Sequence, residues 1–415
     1  MNIKKTIYSI LFIYTFVRLA LLSAGYYMTP DIDFYGEASK YLAALDTGRA
    51  IYYYKWGYEF KALLFVNYAI YLFLTLRFML SREFDSKNNY SAASLAADIT
   101  RFYTGAALAC LPYKFVLGYL KEKHFGFFNP GPAGWLVLYL KQFFISLIII
   151  IFIFIFIRFI VSRFYNKWHI ALTLSVPAAG LIFSILAQSI LLPVFYKTTA
   201  LSDPVMNKRL TAIAAASGIT AENINIIDES SYSSRTNAFF TGFGPWRNIY
   251  LCDTLLSVHS RDEIEAIYAH ELGHYIYNHE LYGIMGASIA AAFIIFLLKY
   301  ASGILNINSA ELVNYISRFG VISLILFQAF YFFIMPAENY ISRCFERAAD
   351  SFAIKAVINF NGAEGSKNAI EAHKNLFIKL AGKNLSNPAP DRFNYLFFAT
   401  HPAIIERLYS AKTSL

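Results

Sequence analysis

Ser260-Arg261-Asp262-Glu263-Ile264-Glu265-Ala266-Ile267-Tyr268-Ala269-His270-Glu271-Leu272-Gly273-His274 is the stretch on which the reading of this chain turns. Its first four residues form a capping box. Ser followed three places on by Glu satisfies backbone donors left free at a helix start. The helix so begun runs through Glu271 towards His279. His270 and His274, four apart, lie on one face of it, and both imidazoles reach a single ion. Glu271 stands beside them, where a carboxylate takes a proton from the attacking water and passes it to the leaving amine. This is the H-E-x-x-H pattern of a zinc hydrolase with a glutamate general base.

Five residues are a short pattern, and two surface histidines on a helix beside a membrane satisfy it too. A third ligand separates the readings. Glu346 and Asp350, in Glu346-Arg347-Ala348-Ala349-Asp350, are again four apart on a predicted helix. Glu346 completes a set of two imidazoles and one carboxylate and leaves the fourth position for water. Asp350, one turn on, is placed to hold a ligand histidine by its other ring nitrogen, with a proton-donor role as the alternative. His279 lies five residues past His274, about 140° round the helix. His259 precedes the helix, and His124, His169 and His373 stand alone. Cys344 falls on roughly the opposite face from Glu346. Cys110, Cys252 and Cys344 contain no C-x-x-C pair, so the expectation is three small buried hydrophobes.

Composition places this site beside a membrane. The 415 residues are 57% hydrophobic and 15% charged, against about 25% charged in a soluble domain. Seven stretches reach the roughly 20 apolar residues a spanning helix needs: 6–28, 62–80, 102–120, 136–157, 170–195, 281–298 and 319–337. The third is interrupted by Pro112 and Lys114. The first follows Lys4 and Lys5, contains Arg18, and is too long for a signal-peptide core despite Ser23-Ala24-Gly25, so it reads as an uncleaved span. The net charge of +9 is scattered and forms no basic stripe, which argues against nucleic acid and for anionic lipid. The chain divides into spans one to five (1–196), a soluble segment with the H-E-x-x-H helix (197–280), spans six and seven (281–340) and a C-terminal segment with the third ligand (341–415). In the first soluble segment a helix is expected from Ser202 as N-cap through Pro204 to Gly218, with strands at 223–227 and 248–252. Two spans separate His274 from Glu346, an even number, so both ligands return to one side of the bilayer.

With these residues in place the sequence resembles the zinc-dependent (type I) CAAX prenyl proteases. Arg235-Thr236-Asn237-Ala238-Phe239-Phe240-Thr241-Gly242 resembles their edge-strand motif. His270–His274 matches their H-E-L-G-H. Ser342-Arg343 with Glu346 and Ala349-Asp350 matches S-R-x-x-E-x-x-A-D, and Thr400-His401-Pro402 with Arg407-Leu408 matches H-P-x-x-x-x-R. The likeness is strong over 192–408 and thin before 110. Lys123-His124-Phe125-Gly126-Phe127-Phe128-Asn129 departs from the family's K-H-G-F-N by inserted aromatics, which bears on substrate fit. Arg347 stands where the family usually has an aromatic.

The resemblance implies a mainly α, polytopic membrane protein. Seven transmembrane helices would enclose a water-filled chamber, with a gluzincin-like zinc domain containing a small β-sheet. It implies one Zn2+ per chain on His270, His274 and Glu346, Glu271 as base, and His401 stabilising the oxyanion. Asn237 would bind the backbone of a peptide laid along the edge strand, and Arg407 would orient groups around the site. The implied activity is removal of the C-terminal tripeptide from prenylated proteins, by a monomer in the endoplasmic reticulum membrane of a eukaryote or the cytoplasmic membrane of a bacterium. Quality-control proteolysis of HtpX type, with about four spans and non-prenylated substrates, is the neighbouring reading. A non-enzymatic transporter or receptor is the remote one. A site-2-type protease is disfavoured by the charges Arg261, Asp262, Glu263, Glu265 and Glu280 flanking the motif. The resemblance implies cytosolic catalysis. Lys4, Lys5, Arg82, Lys87, Arg101, Arg158, Arg163 and Lys167 lie mostly on the N-terminal side, which by the positive-inside rule points the other way.

Overall fold

The computed structural model describes residues 3–26, 31–81, 91–219, 224–242, 247–304, 309–362 and 366–413. Each of the seven apolar stretches lies on a long helix. These are α1 (Ile3–Tyr26), α2 (Thr47–Ser81), α3 (Ala92–Phe115), α4 (Pro132–Phe164) and α5 (Trp168–Leu186). After the short helix α6 (Pro204–Ala216) and the site helix α7 (Arg261–Ile276) come α8 (His279–Ile304) and α9 (Ser309–Asn361). Residues 27–28, Arg82, Lys87 and Asn223 lie outside the described residues. Among the described residues, two helical segments, 132–195 and His279–Ile304, are long and apolar enough to cross a membrane by themselves, with mean hydropathies of 3.2 and 2.3. The first doubles back at Tyr165, where φ is +43°, and so supplies both α4 and α5.

Neighbouring helices pack in a closed ring, α1 on α2, α2 on α3, α3 on α4, α4 on α5, α5 on α8, α8 on α9, and α9 back on α1. At one end the ring is pinched by an apolar plug in which Leu95, Ile99, Ile160, Val161, Trp168 and Leu312 meet. At the other end it carries the segments 197–280 and 341–415. Pro112 does not stop α3, which continues through a π-helical turn at Val116–Leu120 to His124. Similarly, α5 passes through a π turn at Ala187–Leu191. Buried Gln188 in that turn accepts a bond from Asn248 of the sheet at 3.0 Å.

The sheet has four strands in the order β1 (Thr198–Ala200), β2 (Ile224–Ile227), β4 (Asn248–Cys252), β3 (Ala238–Thr241). The β2–β4 pair is parallel and the other two are antiparallel. This leaves β3 as an edge. Asp203, not Ser202, caps α6: with Pro204 in the first helical position the cap is the residue before it, and Asp203 accepts from the N–H groups of Val205 and Met206. No break marks the boundary expected at 340. Helix α9 runs uninterrupted through 53 residues, so Glu346 rides on the same rod as the seventh apolar stretch. Two further helices, α10 (Ser366–Asn384) and α11 (Arg392–Phe398), and then α12 (Ile404–Thr413), close over the site.

Candidate active site

The capping box forms as read: Ser260 accepts from Glu263 N–H while the Glu263 carboxylate accepts from Ser260 N–H. Residues 263–273 of α7 are all buried. Glu263 and Glu265 are therefore no solvated face, whereas Asp262 is exposed. Glu263 pairs with Lys379 at 2.8 Å, and Glu265 pairs with Arg209. Helix α7 lies against α9 with almost no separation at Gly273, where an added Cβ would stand 2.9 Å from the Ala349 Cα. A methyl group there would meet backbone, so glycine is what lets the histidine helix and the glutamate helix approach.

That approach builds a triangle. His270 Nε2 and His274 Nε2 are 3.1 Å apart, and Glu346 places Oε2 3.4 Å from the first and Oε1 3.4 Å from the second. Ligand atoms about 2.1 Å from an ion at tetrahedral angles stand about 3.4 Å from one another. The Oε2 atom of Glu346 is buried without a hydrogen-bond partner. Two imidazoles, one carboxylate, this spacing and that orphaned oxygen fit a zinc ion. Among the described residues, these three form the group whose donor atoms converge on one point.

Glu271 is buried, and Phe240 N–H of β3 donates to one of its oxygens at 3.0 Å. Burial raises its carboxyl above the usual range, the direction suited to a group that both takes and returns a proton. Asp350 Oδ1 lies 2.9 Å from His270 Nδ1. Arg407 grips Asp350 with two donors, Nε to Oδ2 at 2.7 Å and Nη2 to Oδ1, and its Nη2 is 3.6 Å from Glu346. Burial would raise Asp350, but Arg407 and then His270 outweigh it and hold the carboxyl well below the usual range. His401 brings Nε2 to 3.4 Å from Glu346, with Nδ1 2.8 Å from the Thr400 hydroxyl. Asn237 is exposed on the cavity wall, and its carbonyl accepts from Cys252 N–H. All eight residues singled out from the sequence line or adjoin one cavity of about 690 Å³.

The helix wheel misplaces His279. Helix α7 stops at Ile276, Asn278 takes φ +53°, and His279 opens α8 with its Nδ1 2.9 Å from His274 Nδ1. With His274 Nε2 turned to the ligand triangle, its Nδ1 carries the hydrogen, so His279 accepts. Two more residues lacked an assigned role. Buried Arg343 donates to the carbonyls of Tyr395 and Ala399 at 2.9 and 2.6 Å, which fixes the turn bearing His401. His373 is buried 3.9 Å from Asp350, and burial pushes its pKa down to about 4. Cys110 and Cys252 are buried, but Cys344 is exposed, because α9 turns that face away from α7. The inserted aromatics Phe125 and Phe127 are buried against Tyr53 and Trp56. Their loop bridges to Ser233 and Ser234 ahead of β3.

The family model for peptidase family M48 matches residues 200–414. The CAAX prenyl protease 1 homolog of Oryza sativa is 31% identical over 245 residues, 56% of this chain and 52% of its own length. The chain thus spans about half the length of that relative. The uncharacterized metalloprotease YhfN of Bacillus subtilis is 26% identical over 311 residues, 74% of this chain and 70% of its own. CAAX prenyl protease 1 of Saccharomyces cerevisiae is 27% identical over 327 residues, 73% of this chain and 68% of its own. The crystal structure of S. mikatae Ste24p superposes with a TM-score of 0.79 over 99% of both chains at 20% identity, which is a likeness of fold. The family match takes in both halves of the ligand triangle and covers more than half of the sequence, and the chain belongs to peptidase family M48.

Proposed function

We propose that the protein is an integral-membrane zinc metalloendopeptidase that removes the C-terminal tripeptide from prenylated CAAX proteins. The observation that carries this reading is the ligand triangle with Glu271 beneath the edge strand β3, set at the foot of a closed ring of apolar helices. His270, His274 and Glu346 would hold one zinc per chain, which when bound would supply Lewis acidity at the scissile carbonyl. Glu271, anchored through one oxygen by Phe240 N–H, uses the other to take the proton of the attacking water and return it to the leaving amine. His401 donates to the oxygen on which negative charge develops. Asn237 and the β3 edge take the substrate backbone as an added strand. Asp350 fixes the ring of His270, and Arg407 fixes Asp350.

The relatives named CAAX prenyl proteases support the substrate class. A lipidated substrate accounts for a peptidase whose site sits on a ring of seven helices, which we read as seven spans around a chamber, with the protein acting as a monomer. A second reading is general peptide cleavage as in quality control, with which a match to a bacterial metalloprotease over 74% of this chain is compatible.

The test is a cleavage assay on a farnesylated CAAX peptide, its unlipidated twin and casein, with zinc content measured on the same preparation. Glu271→Gln is expected to lower turnover by about 10²–10⁴-fold with zinc retained. Equal rates on all three substrates sink the prenyl-specific reading and leave the general one. A zinc-free protein, or an unchanged Glu271→Gln, sinks both.

A further inference from the structure

Along β3 the backbone groups alternate in direction. Asn237 C=O faces β4, where it accepts from Cys252 N–H at 3.0 Å. The even-numbered residues face the other way: Phe240 N–H reaches Glu271, and Gly242 N–H reaches Glu280. At Thr236 one side-chain amide takes both groups. Asn384 Nδ2 donates to Thr236 C=O at 2.9 Å, and Thr236 N–H donates to Asn384 Oδ1 at 3.1 Å. These are the two bonds that an added strand would make at that residue. Asn384 is the last residue of α10 and precedes Leu385 at φ +48°, and Arg235 Nη1 donates to its carbonyl at 3.5 Å. Between the amide and the general base, Ala238 presents its edge to the cavity.

Resting on the strand-addition reading above, we infer that Asn384 is a positioning residue that closes the β3 edge and limits the substrate segment on that side of the scissile bond. From Phe240 to Thr236 is four residues, at most roughly 14 Å of extended chain, so a peptide aligned with Glu271 has room for about three residues before it meets the amide. The closed end takes the C-terminal segment, because the other arm of a protein substrate continues into the rest of its chain and cannot end after three residues. Asn384 thereby sets the length of the released peptide.

The experiment uses the purified full chain and farnesylated peptides of one sequence with two to six residues after the farnesyl-cysteine, products being read by mass spectrometry. The wild type is expected to slow by about tenfold or more once that segment exceeds three residues, the discrimination expected when backbone bonds must be displaced. In Asn384→Ala the six-residue peptide should be cleaved within about threefold of the three-residue one, with Asn384→Asp, which retains only the acceptor, in between. The long-to-short ratio does not depend on how much of a variant folds. A wild type indifferent to length, or an unchanged ratio in Asn384→Ala, overturns the inference. N-methylation of the peptide at each position separates the two layers. If no position slows cleavage, strand addition itself fails. If alternate positions slow it and the length ratio survives Asn384→Ala, the role of Asn384 alone fails.

Discussion

The two histidines of the candidate zinc triangle are four residues apart on one helix, yet they are held in place by different physics. Behind His270 stands a buried charged stack: Asp350, the two-pronged Arg407 clamp, and Phe377, whose ring centroid is 3.6 Å from the guanidinium carbon. Behind His274 stands a neutral pair. His279 meets its Nδ1 at 2.9 Å and lies flat on Phe345, with centroids 4.3 Å apart and planes inclined by 12°. The first backing joins the three segments that carry His270, Asp350 and Arg407, on α7, α9 and α12. The second sits at the joint between the site helix and the apolar helix α8. One side of the site is thus locked by charge inside the core around α7, and the other is tied by geometry to the ring.

The sharpest way to break this contrast is at Arg407. Removing it leaves the buried Asp350 carboxylate without its partner, a change that costs about 3–5 kcal/mol where such pairs have been broken. Arg407→Leu is therefore expected to lower the thermal unfolding midpoint steeply, and Arg407→Leu with Asp350→Leu to recover part of the loss. If the double variant is no more stable than the single, the clamp is not what stabilises this side.

Gly273 tests both sides together, since it sits between the histidines at the closest approach of α7 and α9. Gly273→Ala forces a methyl group against the Ala349 backbone, and overpacking of this kind costs about 1–3 kcal/mol. The separation of the triangle's two halves should grow, and zinc retention should fall more than stability. Because the nearest atom is the Ala349 Cα, Ala349→Gly should give little rescue. Full rescue would show that the side chain, not the backbone, sets the distance.

The charged side was legible in the sequence and the neutral side was not. Glu346 and Asp350 share a face of a single helix, so their spacing alone places the carboxylate behind the ligand. A continuous helix would carry His279 about 140° from His274. The helix breaks instead at Asn278, in a left-handed conformation that asparagine tolerates and that nothing in the spacing announces. The same distinction runs through the fold. Apolar length located the seven long helices, including α3 despite Pro112. The closure of the ring depends on packing partners far apart in the chain. Arg343 and Asn384 act on backbone atoms of other segments, Tyr395, Ala399 and Thr236, and such contacts leave no trace in residue type or period.

The smallest expected effects sharpen the comparison most. Partners that hold a metal-ligating histidine are typically worth about 10–100-fold in metal affinity. Asp350→Asn keeps a hydrogen-bond acceptor beside His270 but removes the charge, so zinc affinity measured by competition with a chelator should fall toward the upper part of that range. His279→Phe keeps the stack on Phe345 and loses one neutral hydrogen bond, worth about 1 kcal/mol, or roughly fivefold in affinity. The two should combine additively, because the partners touch different histidines and share no contact with one another. An equal loss in the two single variants would mean that the charge behind His270 contributes no more than a neutral contact. A strongly non-additive double variant would mean that the histidines respond as one unit, tied through Gly273 and the shared face of α7 more tightly than their separate partners suggest.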